Sequence, residues 1–150
     1  MGATMATARV YDGFDGGAER ALMHGHTFCG HPLGAAVARE VLAIYRDENI
    51  VSGVVEREAA IRKALDRIGE HRGVRAVRTL GIVGAVDLGD VGYGGTGIGH
   101  RVADAMRARG VFLRPLGDTV YVCPPLNVSM EVLGTTLDAL EDAISSVLPR

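Results

Sequence analysis

Beyond His31-Pro32 the apolar positions fall into helical step. Leu33, Val37, Val41 and Ile44, with Tyr45 beside them, make one stripe, while Arg39, Glu40, Arg46 and Asp47 face elsewhere. Proline suits a first helical position, where its missing N–H costs nothing. A long helix therefore starts here. A second is expected from about Gly53 to Ile68, with Val54, Ile61, Leu65 and Ile68 inward and Gly69 as its stop. The period then changes: residues 74–80 and 82–88 are β-branched, partly alternating, and read as two strands. A glycine-rich stretch, 89–99, leads into a helix over about 98–109, stopped by Gly110. Two short strands follow at 111–114 and 119–123, joined by 115–118. Pro124-Pro125 ends the second, since neither can donate to a ladder. Ser129 caps a last helix whose inner face is Leu133, Leu137, Leu140, Ile144 and Val147. Two helices, two strands, a helix, two strands and a helix make an α+β sandwich. Residues 1–30 are the least regular, with turn chemistry at 12–17.

Composition narrows the class. At 150 residues the chain is about one domain's worth, enough to bury roughly 68–70% of its unfolded surface. Hydrophobic residues at 47% and charged residues at 23% describe a globular chain, neither disordered nor fibrous. The net charge of −2 argues against nucleic acid held on a basic face. No apolar run approaches ~18 residues, so no membrane-spanning helix is expected. The first nine residues lack the basic start and apolar core of a signal peptide. Cys29 and Cys123 cannot form a disulfide framework and suit a reducing cytoplasm. Of the basic residues all are arginine but one, Lys63.

Three constellations carry candidate chemistry. The segment His24-Gly-His26-Thr-Phe-Cys29-Gly-His31 puts four possible zinc ligands into eight residues. Structural zinc usually joins two separated ligand pairs, and no second cluster lies elsewhere. A plainer reading is a buried loop-to-helix corner, with His31 capping and Phe28 packed beneath. In a third, Thr27 and nearby backbone N–H groups, just before a helix start, bind an anion such as phosphate. Next, Gly92-Tyr-Gly94-Gly-Thr-Gly97 is a literal G-x-G-x-x-G, with Asp118 about 20 residues on as a ribose-binding acid would be. The glycines do not follow the strand directly and the unit is short for a dinucleotide, so a surface loop is the better reading. Last, Arg114 stands at a strand end before a rigid turn, where its planar fork can meet a carboxylate. Tyr121 alternates with Val120 and Val122, which suits packing with a satisfied hydroxyl. Lys63 follows Arg62 on a charged helix face and reads as solvated.

The run His24-Gly-His-Thr27-Phe-Cys-Gly-His-Pro32-Leu-Gly-Ala-Ala36, with Leu113-Arg114-Pro-Leu-Gly117 and Val120-Tyr-Val-Cys-Pro-Pro125, resembles the class III aminotransferases. The arginine–proline–x–glycine turn, followed by tyrosine and a double proline, is similar to the biotin-pathway members more than to ornithine or aminobutyrate relatives. The likeness spans nearly the whole chain. It implies a pyridoxal-phosphate transaminase of fold type I, a homodimer with active sites at the subunit interface. Such enzymes move an amino group from S-adenosylmethionine to a keto acid. By the same resemblance Thr27 hydrogen-bonds the cofactor phosphate of the neighbouring subunit, with the backbone at Gly25 and His26 alongside. Arg114 would hold the substrate carboxylate, and Tyr121 would line its pocket. Relatives often have proline where this chain has His26. The resemblance also implies that the Schiff-base lysine, the pyridine aspartate, the stacking aromatic and the phosphate loop precede Met1. Lys63 matches no catalytic position, and a solvated helix face would not desolvate it into a nucleophile. On this reading residues 1–30 are a strip of the large domain, 31–48 an inter-domain helix and 49–150 a C-terminal small domain. The chain alone is then expected to be inactive, completed as a homodimer or by a separate N-terminal half. A non-catalytic zinc-binding or interaction module is the alternative.

Overall fold

The computed structural model describes residues 2–89 and 97–148. The chain divides into two compact units, Met1–Glu48 and Asn49–Arg150.

In the first unit, a short helix α1 (Ala8–Tyr11) and a 3-10 turn (Ala18–Arg20) precede the long helix α2 (Pro32–Asp47). The expected start of α2 is found. His31 stands at the N-cap, its Nδ1 accepting from the Gly34 N–H at 2.9 Å, and Pro32 opens the first turn. The Arg20 guanidinium donates to the Asp12 and Gly13 carbonyls at 2.9 and 3.3 Å, which closes the turn over residues 12–17. None of this unit's described residues is buried.

The second unit has its own core. It runs α3 (Ile50–Gly69), β1 (Ala76–Leu80), β2 (Val83–Asp87), α4 (Ile98–Ala108), β3 (Thr119–Val122) and α5 (Met130–Val147). The strands form an antiparallel sheet in the order β1-β2-β3. Val77 pairs with Val86, and Val86 with Val120. By the pleat these share one face, against which the helices pack. Gly84 lies on that face too, and a Cβ there would come within 2.6 Å of Ile61 and 2.7 Å of Leu65. Glycine is what lets α3 sit so close. Ile61, Leu65, Val102, Met106, Leu140 and Ile144 are fully enclosed, each contributing about 1.5–3 kcal/mol by burial. Arg67 on α3 donates to Glu141 on α5 at 2.8 Å, and Arg57 to the Val128 carbonyl at 2.7 Å.

The architecture is the α+β arrangement expected, with local differences. Helix α3 begins at Ile50, earlier than Gly53, because Ile50 is itself buried behind a left-handed Asn49. The expected strand at 111–114 does not form. The Val111 N–H instead closes the last turn of α4 on the Met106 carbonyl at 3.0 Å, and Pro115 has no N–H to offer. Only a single bridge, Leu116 to Thr119, pairs this arm with β3.

Candidate functional site

Arg114 and Tyr121 line one groove of about 520 Å³ in the second unit, bounded by residues 111–114, residues 121–125, Val128, Val132 and Thr136. Valines, prolines, Leu113 and Phe112 make its walls largely apolar. Arg114 is exposed there and, among the described residues, has no hydrogen-bond or ion-pair partner. An unneutralised guanidinium beside apolar walls suits a ligand with a carboxylate at one end and hydrocarbon behind it. Tyr121 is half-buried and pairs across the sheet with Ala85. Sequence reasoning missed the wall from α5. Its signal was Val132, an exposed apolar residue off the helix's inner stripe.

The arginine on the same sheet face as Tyr121 is committed. Arg78 pairs with Asp87 through both terminal nitrogens, the Nη2–Oδ1 contact being 3.1 Å. The Thr119 hydroxyl donates to Asp87 Oδ1 at 2.7 Å. Burial pushes the Asp87 carboxyl up, but the bonds from Arg78 and Thr119 and the Arg78 charge outweigh it, holding it below the usual value. Asp87 is a structural hub, whereas Arg114 has no such partner among the described residues.

In the first unit, Gly25, His26 and Thr27 lie in an exposed turn ahead of α2. No described residue partners the Thr27 hydroxyl, and a Cβ on Gly25 would meet no atom within 4 Å. The His26 N–H, by contrast, donates to Cys29 Sγ at 3.1 Å. Sulfur is a weak acceptor, so a phosphate oxygen could replace it, but this amide is not idle. The Thr27 hydroxyl and the Gly25 backbone are open to a ligand as they stand; the His26 amide is open only by that exchange.

The metal reading fares worse. His31 Nδ1 is spent on the helix cap, Cys29 on the His26 amide, and the His24 and His26 rings meet edge to face at 5.1 Å. Among the described residues no group of three His, Cys, Asp or Glu is placed to hold an ion. Phe28 was expected beneath the corner; it is 78% exposed. The corner is open because nothing in this unit encloses it.

Most of the G-x-G-x-x-G run lies outside the described residues; Gly97 is described. There the amino end of α4 is already occupied, since Asp118 Oδ1 accepts from the Gly97 and Gly99 N–H groups at 3.1 and 3.3 Å. The acid placed by spacing as a ribose ligand is a buried helix cap. Lys63 is exposed on α3 beside Arg62, which pairs with Glu58 at 2.8 Å. Among the described residues no helix is long and apolar enough to cross a membrane.

Residues 1–144 match the family described as Aminotransferase class-III. The adenosylmethionine-8-amino-7-oxononanoate aminotransferase of Geobacter sulfurreducens is 34% identical over 98% of this chain and 34% of its own length. That of Synechococcus elongatus is 35% identical over 96% of this chain and 34% of its own. The crystal structure of the Methanocaldococcus jannaschii protein of that name superposes with a TM-score of 0.84 at 28% identity, covering 94% of this chain and 34% of that one. The chain thus spans about a third of the length of the curated relatives it matches.

Proposed function

The chain belongs to the class III aminotransferase family, whose members depend on pyridoxal phosphate, and from that premise we propose that it is the C-terminal part of a transaminase acting on 8-amino-7-oxononanoate with S-adenosylmethionine as amino donor. The observation that carries the reading is Arg114, unpartnered among the described residues and set in an otherwise apolar groove. A nonanoate offers that groove what it lacks, a carboxylate for the guanidinium and a hydrocarbon chain for the walls. Tyr121 adds an amphipathic edge beside the chain. Curated relatives bearing that enzyme name, matched over almost all of this chain, support the choice of substrate.

The cofactor, when bound, supplies the electron sink for amino transfer. The residues here that would hold it are Thr27 and Gly25, at its phosphate, with the His26 amide joining once released from Cys29. On this reading the Schiff-base lysine, the pyridine aspartate and the phosphate loop come from the part of the enzyme that this chain does not supply. Lys63, solvated among paired charges, takes none of those roles. On this reading residues 1–30 are a strip of the large domain, 31–48 an inter-domain helix and 49–150 the small domain. The exposed stripe of α2 then meets the remainder of the enzyme, as a homodimer or a separate N-terminal half, in the cytoplasm.

The test is a titration of this chain with 8-amino-7-oxononanoate, followed by NMR at the Tyr121 ring. Shifts that saturate in the wild type should disappear in Arg114→Ala, a loss of about 2–4 kcal/mol expected for one charged contact. An Arg114→Ala chain that responds like the wild type would overturn the assignment.

A further inference from the structure

The arm that carries Arg114 is tied to α4 at both of its ends. At one, the Val111 N–H reaches the Met106 carbonyl in the last turn of α4, at 3.0 Å. At the other, Leu116 and Thr119 exchange main-chain bonds of 2.9 and 3.1 Å around a two-residue loop, Gly117-Asp118. Gly117 has φ +60°, as the first central position of a II′ hairpin turn requires. From that loop the Asp118 side chain, 1% exposed, accepts from the Gly97 and Gly99 amides that open α4. The dipole of α4 favours a carboxylate at this end. The Asp118 carbonyl meanwhile accepts from the Leu88 N–H at 2.9 Å. The fit leaves no slack. A Cβ on Gly99 would run into the Gly117 carbonyl, and one on Gly89 into the Asp118 carboxylate. Between the two ties, residues 112–114 make no main-chain hydrogen bond among the described residues, and Pro115 has no N–H. The buried Leu113 is their anchor.

We propose that Asp118 is a positioning residue for Arg114: by fastening the 117–118 loop to the amino end of α4, it fixes where the guanidinium stands at the groove. The proposal rests on the reading of Arg114 as the fork for the substrate carboxylate. Asp118 is enclosed and acts through the loop, without touching the ligand.

The test uses the whole chain, labelled with nitrogen-15, as wild type, Asp118→Ala, Asp118→Asn and Ile144→Val. In Asp118→Ala the order parameters of the 112–114 amides should fall from about 0.85 to below about 0.6. Affinity for 8-amino-7-oxononanoate should weaken about tenfold. Asn keeps an oxygen that accepts both amides, so Asp118→Asn should hold the wild-type order and stay within about twofold in affinity. Ile144→Val thins the core from α5 while removing none of the loop's hydrogen bonds, and should lower the melting temperature with neither effect. Wild-type order in Asp118→Ala overturns the proposal, and so does an Ile144→Val chain that reproduces both losses, since the role would then be stability alone. If Asp118→Ala does not fold, Asp118→Glu replaces it. Its extra methylene should loosen the arm relative to Asp118→Asn, and equal order in the two overturns the idea. Failure of the underlying reading shows elsewhere: Arg114→Ala would bind like the wild type, while the order of residues 112–114 still decides for or against Asp118.

Discussion

Helices α2 and α5 are built to the same local plan and meet different fates. Each carries an aliphatic stripe at helical spacing, and each is opened by a side chain that accepts the amide three residues on. His31 takes Gly34 at 2.9 Å, and Ser129 takes Val132 at 3.2 Å. In α5 the stripe of Leu133, Leu137, Leu140 and Ile144 is buried; in α2 Leu33 is 71% exposed and Ile44 39%. Spacing announces a face that needs cover, and the cover comes from whatever packs against it. For α5 that is α3 and α4, whose contacts with it are within one unit. For α2, no described residue of its own unit is buried against it.

The sharpest way to break the comparison is to shave one methyl-rich side chain from each stripe. Leu140→Ala should cost about 2–5 kcal/mol in urea unfolding, through lost transfer energy and the cavity left behind. Val41→Ala should stay within about 0.5 kcal/mol, as a surface change does. A Val41→Ala loss above about 2 kcal/mol would mean that α2 is covered in solution. A midpoint that rises with protein concentration would then identify a second copy as the cover.

The second contrast is polar. Unit one's described carboxylates and arginines are exposed, whereas Asp87 in unit two is buried with Arg78 and Thr119 bonded to it. Its folded-state value lies below that of the unfolded chain. The stability it contributes is therefore present above the unfolded value of about 4 and is lost as pH falls through the lower folded value. Asp87→Asn should cost about 1–3 kcal/mol at neutral pH, the range for a buried charged hydrogen bond. It should also flatten the decline in stability below about pH 4. An acid limb as steep in Asp87→Asn as in the wild type would show that other carboxylates set it.

The same contrast explains what could be read ahead of the structure. Local signals sufficed where one residue answers to its near neighbours: His31-Pro32 opening α2, Ser129 opening α5, and the stripes of α3 and α5 turned inward. Arg114 and Tyr121, from separate elements, do line one groove. Local signals failed where a group's partner is remote in sequence. Asp118 has the spacing of a ribose ligand, but only the fold brings the Gly97 and Gly99 amides to it. Residues 111–114 have strand composition, yet the neighbour that decides their fate is the end of α4. Phe28 has the composition of a core residue, yet nothing in its own unit encloses it.

The smallest effect separates the two caps. Ser129→Ala should lower the stability of the second unit by about 1 kcal/mol, because α5 unfolds only with its core. His31→Ala removes an equivalent bond from a helix with no buried face, so the second unit's unfolding midpoint should not move. The loss should register instead as faster hydrogen exchange in the first turn of α2, about five- to tenfold for a cap of that strength. A shift of the main unfolding transition in His31→Ala comparable to that in Ser129→Ala would show that α2 unfolds together with the core. The two helices would then differ in exposure but not in cooperativity, and the cover that α2 lacks in its own unit would have to come from elsewhere in the folded state.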